Sequence, residues 1–100
     1  METRLSFVFQ QIDNLAYILC KCSLPESHKT TLRSLQLKFC NEYNSHKRIK
    51  NTKLELHQQL AALTYVSKKH TLPVYHKKPL QDLLAEITKE INSKNKENKL

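Results

Sequence analysis

Residues 80–91 read LQDLLAEITKEI, and the spacing of their apolar side chains decides the fold. Apolar positions recur every three or four residues, which is the period of one face of an α-helix, while acids and other polar residues fill most of the remaining positions. We therefore predict a helix whose apolar face must be buried against other elements. The apolar members of this stripe are Leu80, Leu83, Leu84, Ile87 and Ile91.

Three segments upstream have the same helical period. The first runs from residue 3 to about residue 22, and the second begins at Pro25, a residue type favoured in the first turn of a helix. The third begins at Thr52, which forms a capping-box pattern with Glu55 three residues later. Pro79 either opens or interrupts the last helix. The predicted helices cover residues 3–22, 25–44, 52–69 and 79–92.

The chain contains no glycine among its 100 residues. Glycine supplies the backbone geometries of tight hairpin turns, so its absence favours helical structure, and glycine-rich nucleotide-binding loops are excluded. Four amphipathic helices with short connections pack most simply as a bundle. We predict an all-α, antiparallel up-down four-helix bundle over residues 1–92, followed by a basic tail over residues 93–100 that frays or extends the last helix.

From the sequence we expect neither a membrane-spanning segment nor a secretory signal in this chain. No apolar run reaches the 18 or more residues that a membrane-spanning helix requires, and the first residues lack the pattern of a secretory signal. We therefore expect a cytoplasmic protein, or one that associates peripherally with the inner face of the cell membrane.

The residues that could bind a metal or catalyse a reaction are scattered along the chain. None of the five histidines forms a compact pair with Cys20, Cys22 or Cys40, whereas structural zinc needs four ligands at short spacings. Glu86 and Glu90 have the spacing of a solvated helix face whose acids pair with nearby lysines. We therefore predict free thiols, no metal, no cofactor and no catalytic site, and we expect that the protein is not an enzyme.

The net charge of +8 is concentrated in the middle of the chain. Between residues 44 and 78 there are eight basic residues and a single acid, Glu55. Four of the basic residues precede the third helix and four follow its apolar stripe, which places them at opposite ends of a rod about 25 Å long. Two basic poles suit anionic lipid headgroups or an acidic protein surface. The basic residues are Lys47, Arg48, Lys50, Lys53, Lys68, Lys69, Lys77 and Lys78.

Four short motifs follow one another within residues 32–91. They are L-x-x-L at Leu32 and Leu35, L-x-x-x-L at Leu56 and Leu60, the connection Thr71-Leu72-Pro73, and L-x-x-L-L-x-x-I from Leu80 to Ile87. With these motifs, its length and its basic charge, the chain resembles the enterocin A immunity type of bacteriocin immunity proteins. These are small cytoplasmic four-helix bundles of Gram-positive bacteria.

The resemblance implies a binding protein that protects its cell from a pediocin-like (class IIa) bacteriocin. Members of the family act from the cytoplasmic side on the membrane sugar-transporter receptor, a mannose-type phosphotransferase permease, once the bacteriocin has engaged it. Their C-terminal half discriminates between bacteriocins, and they have no catalytic residue. For this chain we expect a monomer that recognises its partner through the last two helices. The predicted contact residues are Lys68, Lys69, His70, Tyr75, His76, Lys77 and Lys78, with Lys94, Lys96 and Lys99 in the tail.

Two other functions stay open from the sequence. The isoelectric point of about 9.5 and the excess of lysine are also typical of a small helical nucleic-acid-binding module of phage or plasmid origin. A helical adaptor that buries one face against a partner helix is the third candidate.

Overall fold

The computed structural model describes residues 3–97, which form four α-helices and no strand. The connections between the helices are short and cover residues 22–25, 46–52 and 70–73. The helices are α1 (Arg4–Lys21), α2 (Glu26–Ser45), α3 (Lys53–Lys69) and α4 (Val74–Glu97).

The helices pack side by side in chain order, and α4 returns to pack against α1. Because short connections make neighbouring helices antiparallel, the four rods close into an up-down-up-down ring. The predicted all-α antiparallel four-helix bundle is confirmed. None of the helices described is both long enough and apolar enough to cross a membrane.

Local signals set the ends of the first three helices. The Thr3 hydroxyl accepts the backbone N–H of Ser6 at 3.1 Å at the start of α1. The capping box predicted at the start of α3 is present: Glu55 N–H donates to the Thr52 hydroxyl at 3.1 Å, and Thr52 N–H donates to the Glu55 carboxylate at 2.8 Å. At the end of α2, His46 takes the left-handed conformation (φ 61°) that glycine usually supplies. Each of these helices lies within one residue of its predicted bounds.

The predicted start of the last helix is wrong. Helix α4 begins at Val74, five residues before Pro79, so Pro79 lies inside it. The carbonyl of Pro73 accepts the N–H groups of His76 and Lys77, both at 2.9 Å, and this closes the first turn before Pro79 is reached. Proline removes a single N–H donor, whose acceptor would have been the carbonyl of Tyr75 one turn earlier. The helix therefore continues through it.

Helix α4 continues past the predicted bound at residue 92 to Glu97, so of the two alternatives for the tail, extension of the last helix is the one observed over residues 93–97. Lysine and glutamate are good helix formers, and extending an existing helix requires no new nucleus. The part of the predicted tail over residues 93–97 is therefore helical. Residues 98–100, which include Lys99, lie outside the described residues.

The apolar faces of all four helices meet in one core. Every member of the α4 stripe takes part in it, with Leu84 half-buried at its edge. Burying a leucine, isoleucine or phenylalanine side chain contributes about 1.5–3 kcal/mol, so this core is the main source of stability. Its larger members are Val8, Leu15, Ile18, Leu32, Leu35, Phe39, Leu56, Leu63, Val66, Leu72, Leu80, Leu83, Ile87 and Ile91.

A cluster of charged side chains closes the end of the bundle where α1 begins. Arg4 donates two hydrogen bonds to the carboxylate of Glu42 on α2, at 2.8 and 3.1 Å, and a third to Glu86 on α4. Glu42 is only 3% exposed, and it also accepts the backbone N–H of Ile49 at 3.2 Å. Arg48 in the second connection donates to Glu86 at 2.8 Å. The cluster thus joins three helices and one connection.

The environment of Glu42 shifts its pKa. Burial by itself would raise the pKa, but the hydrogen bonds from Arg4 and from the N–H of Ile49 outweigh burial and hold the pKa of Glu42 below its ordinary value. Glu42 is therefore ionised in the folded protein at neutral pH and contributes to stability in that form.

A second polar group anchors the same connection to α2. The Lys38 ammonium donates to the carbonyl of Lys50 at 3.2 Å, to the side-chain oxygen of Asn51 at 2.8 Å and to Glu55 at 2.7 Å. Gln59 donates to the same oxygen of Asn51 at 3.1 Å. The hydrogen bond from Lys38 lowers the pKa of Glu55. The 46–52 connection is therefore held in place by both polar groups.

We predict that Glu42→Gln lowers the free energy of unfolding by about 2–3 kcal/mol at pH 7, because it removes the charge that balances the partly buried guanidinium of Arg4. Urea denaturation followed by circular dichroism measures this. The matched control is Asp82→Asn, which removes an exposed ion pair with Lys78 and should cost about 0.5 kcal/mol or less. Equal losses in the two variants would contradict the structural role of Glu42.

The same pair of proteins tests the pH dependence. Because the pKa of Glu42 is lowered by folding, its contribution is present above the ordinary value of 4.5 and is lost as the pH falls through the folded value. The difference in stability between wild type and Glu42→Gln should therefore shrink below pH 4.5. Glu55, whose pKa is also lowered, leaves a residual pH dependence of the same sign in the variant. Burial and the charge of Glu86 raise the pKa of Glu90, so Glu90 contributes a pH dependence of stability of the opposite sign.

Candidate functional site

Seven of the ten predicted contact residues lie together at one end of the bundle. We call it the α3–α4 end: the last turns of α1 and α3, the first turns of α2 and α4, and the connections 22–25 and 70–73. The antiparallel arrangement brings these segments to the same end. The residues that lie there are Lys68, Lys69, His70, Tyr75, His76, Lys77 and Lys78.

The other three predicted contacts do not join this surface. Lys94 and Lys96 lie in the last turns of α4. At 1.5 Å per residue, Lys94 is about 25 Å along the helix axis from Lys77. Lys99 lies outside the described residues.

Two apolar side chains protrude at the α3–α4 end. Val74 and Tyr75, in the first turn of α4, are 85% and 75% exposed, which are the highest values for large apolar residues in the described chain. Single exposed apolar residues are ordinary, but two adjacent ones at the tip of a bundle form a contact point. Val74 is not among the predicted contact residues, because nothing local in the sequence distinguishes an exposed valine from a buried one.

Two of the predicted contact residues are engaged inside the protein. The ring of His76 stacks on Tyr17 of α1, with ring centroids 4.0 Å apart and planes 18° apart. Tyr75 also contacts the His76 ring, edge to face, with ring centroids 5.1 Å apart. His70 shares a hydrogen bond of 3.0 Å with the carbonyl of Ser23 and therefore ties the 70–73 connection to the 22–25 connection. These histidines support the surface rather than form it.

A cleft of about 360 Å³ lies beside Tyr75, between α1 and the start of α4. Asp13 contributes a carboxylate from α1, and Lys78 and Asp82 contribute an ion pair of 3.2 Å from α4. The cleft thus combines an aromatic wall with charges of both signs. Such a surface can receive a polar or aromatic side chain of a partner.

Buried polar groups of α1 hold the start of α4 in position. The side-chain amide of Gln11, which is fully buried, donates to the carbonyl of Pro79 at 2.9 Å. Asn14, one turn along α1, donates to the amide oxygen of Gln11 at 3.5 Å, near the limit for a hydrogen bond. A buried amide must find partners, so this contact fixes the first turns of α4 against α1.

The lysines at the α3–α4 end are mostly unneutralised. Within the described residues, Lys78 is the only lysine of that end with a carboxylate partner. The opposite end differs, because there Arg4, Lys38 and Arg48 bind carboxylates. The acids near them are Glu26 in the same turns and Asp13 and Asp82 in the cleft beside Tyr75. The six lysines at the α3–α4 end are Lys21, Lys29, Lys68, Lys69, Lys77 and Lys78.

The cysteines and acids form no further centre. In the part of the chain that the structure describes, no group of three His, Cys, Asp or Glu side chains could hold a metal ion. Cys20, Cys22 and Cys40 are free thiols, and burial raises the pKa of Cys22. Glu86 is bound by two arginines at the end of the bundle opposite the lysines.

Comparisons with models of protein families, with curated proteins and with solved structures gave no significant match to this chain.

We predict that Pro79→Ala raises the free energy of unfolding by about 2–3 kcal/mol. A proline inside a helix costs about 3 kcal/mol, of which up to about 1 kcal/mol is offset because proline restricts the unfolded chain. The carbonyl of residue 79, which Gln11 binds, is retained in the variant.

The matched control for this prediction is Pro73→Ala. Pro73 precedes the first turn of α4 and interrupts no helical hydrogen bond, so its replacement should lower stability by up to about 1 kcal/mol through the unfolded chain. Urea denaturation of both variants should give changes of opposite sign. A loss of stability in Pro79→Ala would instead assign a packing role to the proline ring.

Proposed function

We propose that this chain is a bacteriocin immunity protein that protects its cell from a pediocin-like bacteriocin. In this proposal it acts in the cytoplasm, as a monomer, on the sugar-transporter permease that the bacteriocin has engaged. The antiparallel four-helix bundle and the leucine motifs of residues 32–91 support the proposal, since both are features of the enterocin A immunity type.

The observation that carries the proposal is the surface at the α3–α4 end. Val74 and Tyr75 protrude there among lysines that carry uncompensated charge. Interfaces draw most of their binding energy from a few aromatic or arginine anchors surrounded by a polar rim. Tyr75 has the properties of such an anchor, and it lies in the C-terminal half, to which the resemblance assigns recognition.

The use of the acidic residues supports binding rather than catalysis. Glu42 and Glu86 are bound by arginines, and Glu55 is bound by Lys38 and by a helix cap. A general acid or base must exchange its proton with a substrate at an accessible position. These carboxylates are occupied by contacts that hold the bundle together.

Within the proposed surface, we expect Tyr75 and the lysines to contact the partner. His70 and His76 act as supports, because Ser23 and Tyr17 already bind them. Truncation of an interface anchor typically costs 2 kcal/mol or more, which corresponds to a loss in affinity of about thirtyfold.

The test is expression of the chain in a bacterial strain that is sensitive to pediocin-like bacteriocins. Wild type should raise the inhibitory concentration of at least one peptide in a panel, because the peptide acts through the receptor that the chain recognises. Tyr75→Ser should remove most of this protection. Growth in a dilution series of each peptide is the measurement, with immunoblots to verify equal amounts of protein.

The matched control is Leu54→Ser, which alters an exposed apolar side chain (67%) at the opposite end of the bundle. It should protect as well as wild type does. Unchanged killing by every peptide in cells that contain folded wild-type protein would rule out the proposed function. Equal loss of protection in the two variants would instead indicate that recognition is not specific to the α3–α4 end.

A further inference from the structure

We propose that the α3–α4 end docks end-on onto an anionic lipid bilayer, with Val74 and Tyr75 inserted at the membrane interface. The inference concerns lipid alone and does not depend on the proposed function. Three observations carry it: the exposed apolar pair, the lysines around it, and the different composition of the opposite end of the bundle.

The apolar pair has the chemistry of an interfacial anchor. Tyrosine is favoured where hydrocarbon meets water, because its ring is apolar and its hydroxyl is polar. Tyr75 rests edge-on against His76, which stacks on Tyr17, so the first turn of α4 is supported from behind. Val74 is even more exposed than Tyr75 and has no apolar cover in the described chain.

The lysines at the same end of the bundle come from all four helices. Lys21 ends α1, Lys29 lies in the first turn of α2, Lys68 and Lys69 end α3, and Lys77 lies in the first turn of α4. None of the five has a carboxylate partner within residues 3–95. A flat, fluid anionic surface can meet all of these charges at once without a matched shape.

The residue types favour lipid over nucleic acid. Arginine binds phosphates in two-point geometry and is prominent where proteins read nucleic acids. The turns that form the α3–α4 end contain lysine but no arginine. Lysine acts as a point charge near a surface, and an apolar tip among lysines adds a contact that a duplex would not use.

The opposite end provides an internal control. It carries Lys47, Lys50 and Lys53, and its exposed apolar side chains include Leu54 and Tyr43, which are 67% and 42% exposed and therefore less prominent than Val74 and Tyr75. Its arginines and Lys38 are bound by carboxylates, so more of its positive charge is neutralised than at the α3–α4 end, where Lys78 alone is paired within the described residues. A chain that binds membranes only through its net charge would use both ends equally.

The first experiment measures co-sedimentation of the purified chain with vesicles of phosphatidylglycerol and phosphatidylcholine, and with vesicles of phosphatidylcholine alone. Wild type should bind the anionic vesicles and not the neutral ones. The variant with Lys68→Glu, Lys69→Glu and Lys77→Glu should partition on the order of a hundredfold more weakly. The control with Lys47→Glu, Lys50→Glu and Lys53→Glu has the same net charge and should lose much less.

The second experiment reports insertion and leaves the charge unchanged. The chain contains no tryptophan, so Val74→Trp and Leu54→Trp each introduce a single fluorescent reporter at an exposed site. On anionic vesicles, Val74→Trp should show a blue-shifted emission and quenching by brominated lipid, whereas Leu54→Trp should show neither. Circular dichroism shows whether the triple variants fold. If one does not, the two tryptophan variants still test the insertion of the α3–α4 end.

Several results would overturn the proposal. These are equal losses in the two triple variants, equal emission changes in the two tryptophan variants, and an absence of binding to anionic vesicles at about 0.1 M salt. Tighter binding to a short DNA duplex than to vesicles, lost in the same triple variant, would favour nucleic acid instead. If a chain that does not bind vesicles still protects cells from bacteriocin, the lipid proposal is wrong and the proposed immunity function remains supported.

Discussion

The guanidinium of Arg4 is partly withdrawn from water against two phenylalanine rings, and such a charge requires carboxylates nearby. It finds Glu42 on α2 and Glu86 on α4, so one side chain fixes where three helices meet. Arg48 and the N–H of Ile49 bind the same two carboxylates and bring the second connection to that point. The core supplies most of the stability, but it is apolar and non-directional. The ion cluster, which is directional, fixes how the helices are aligned relative to one another.

With one end of the bundle fixed in this way, the geometry of the other end depends on how α4 starts. The contact from Gln11 to the carbonyl of Pro79 and the stack of His76 on Tyr17 attach the first turns of α4 to α1. Both contacts use residues that are buried or half-buried, so the turn is rigidly supported. Tyr75 is therefore exposed on a well-held segment, so little backbone freedom is lost there on binding.

The parts of this structure that depend on local signals can be predicted from the sequence. Apolar period and caps predict α1, α2 and α3 to within one residue, and the lysines of the third connection are predicted together because they are close in the chain. The start of α4 is not predicted, because residues 74–78 are mostly exposed and carry no stripe. The burial of Glu42 is not predicted either, because its partner Arg4 lies 38 residues away and meets it only in the folded bundle. The same holds for the stack between Tyr17 and His76.

The two basic poles predicted from the sequence become unequal in the fold, and the helix dipoles sharpen the difference. Lys68 and Lys69 lie at the negative end of α3, where a cation is favourable. Lys77 and Lys78 lie near the positive end of α4, whose first turn contains no acid, so their placement there is unfavourable for the helix. Stability alone would place acids at these positions, as it places Glu55 in the first turn of α3. A positive charge at a place where it weakens its own helix fits contact with an anionic surface, which is the role that the proposed lipid docking gives to this end.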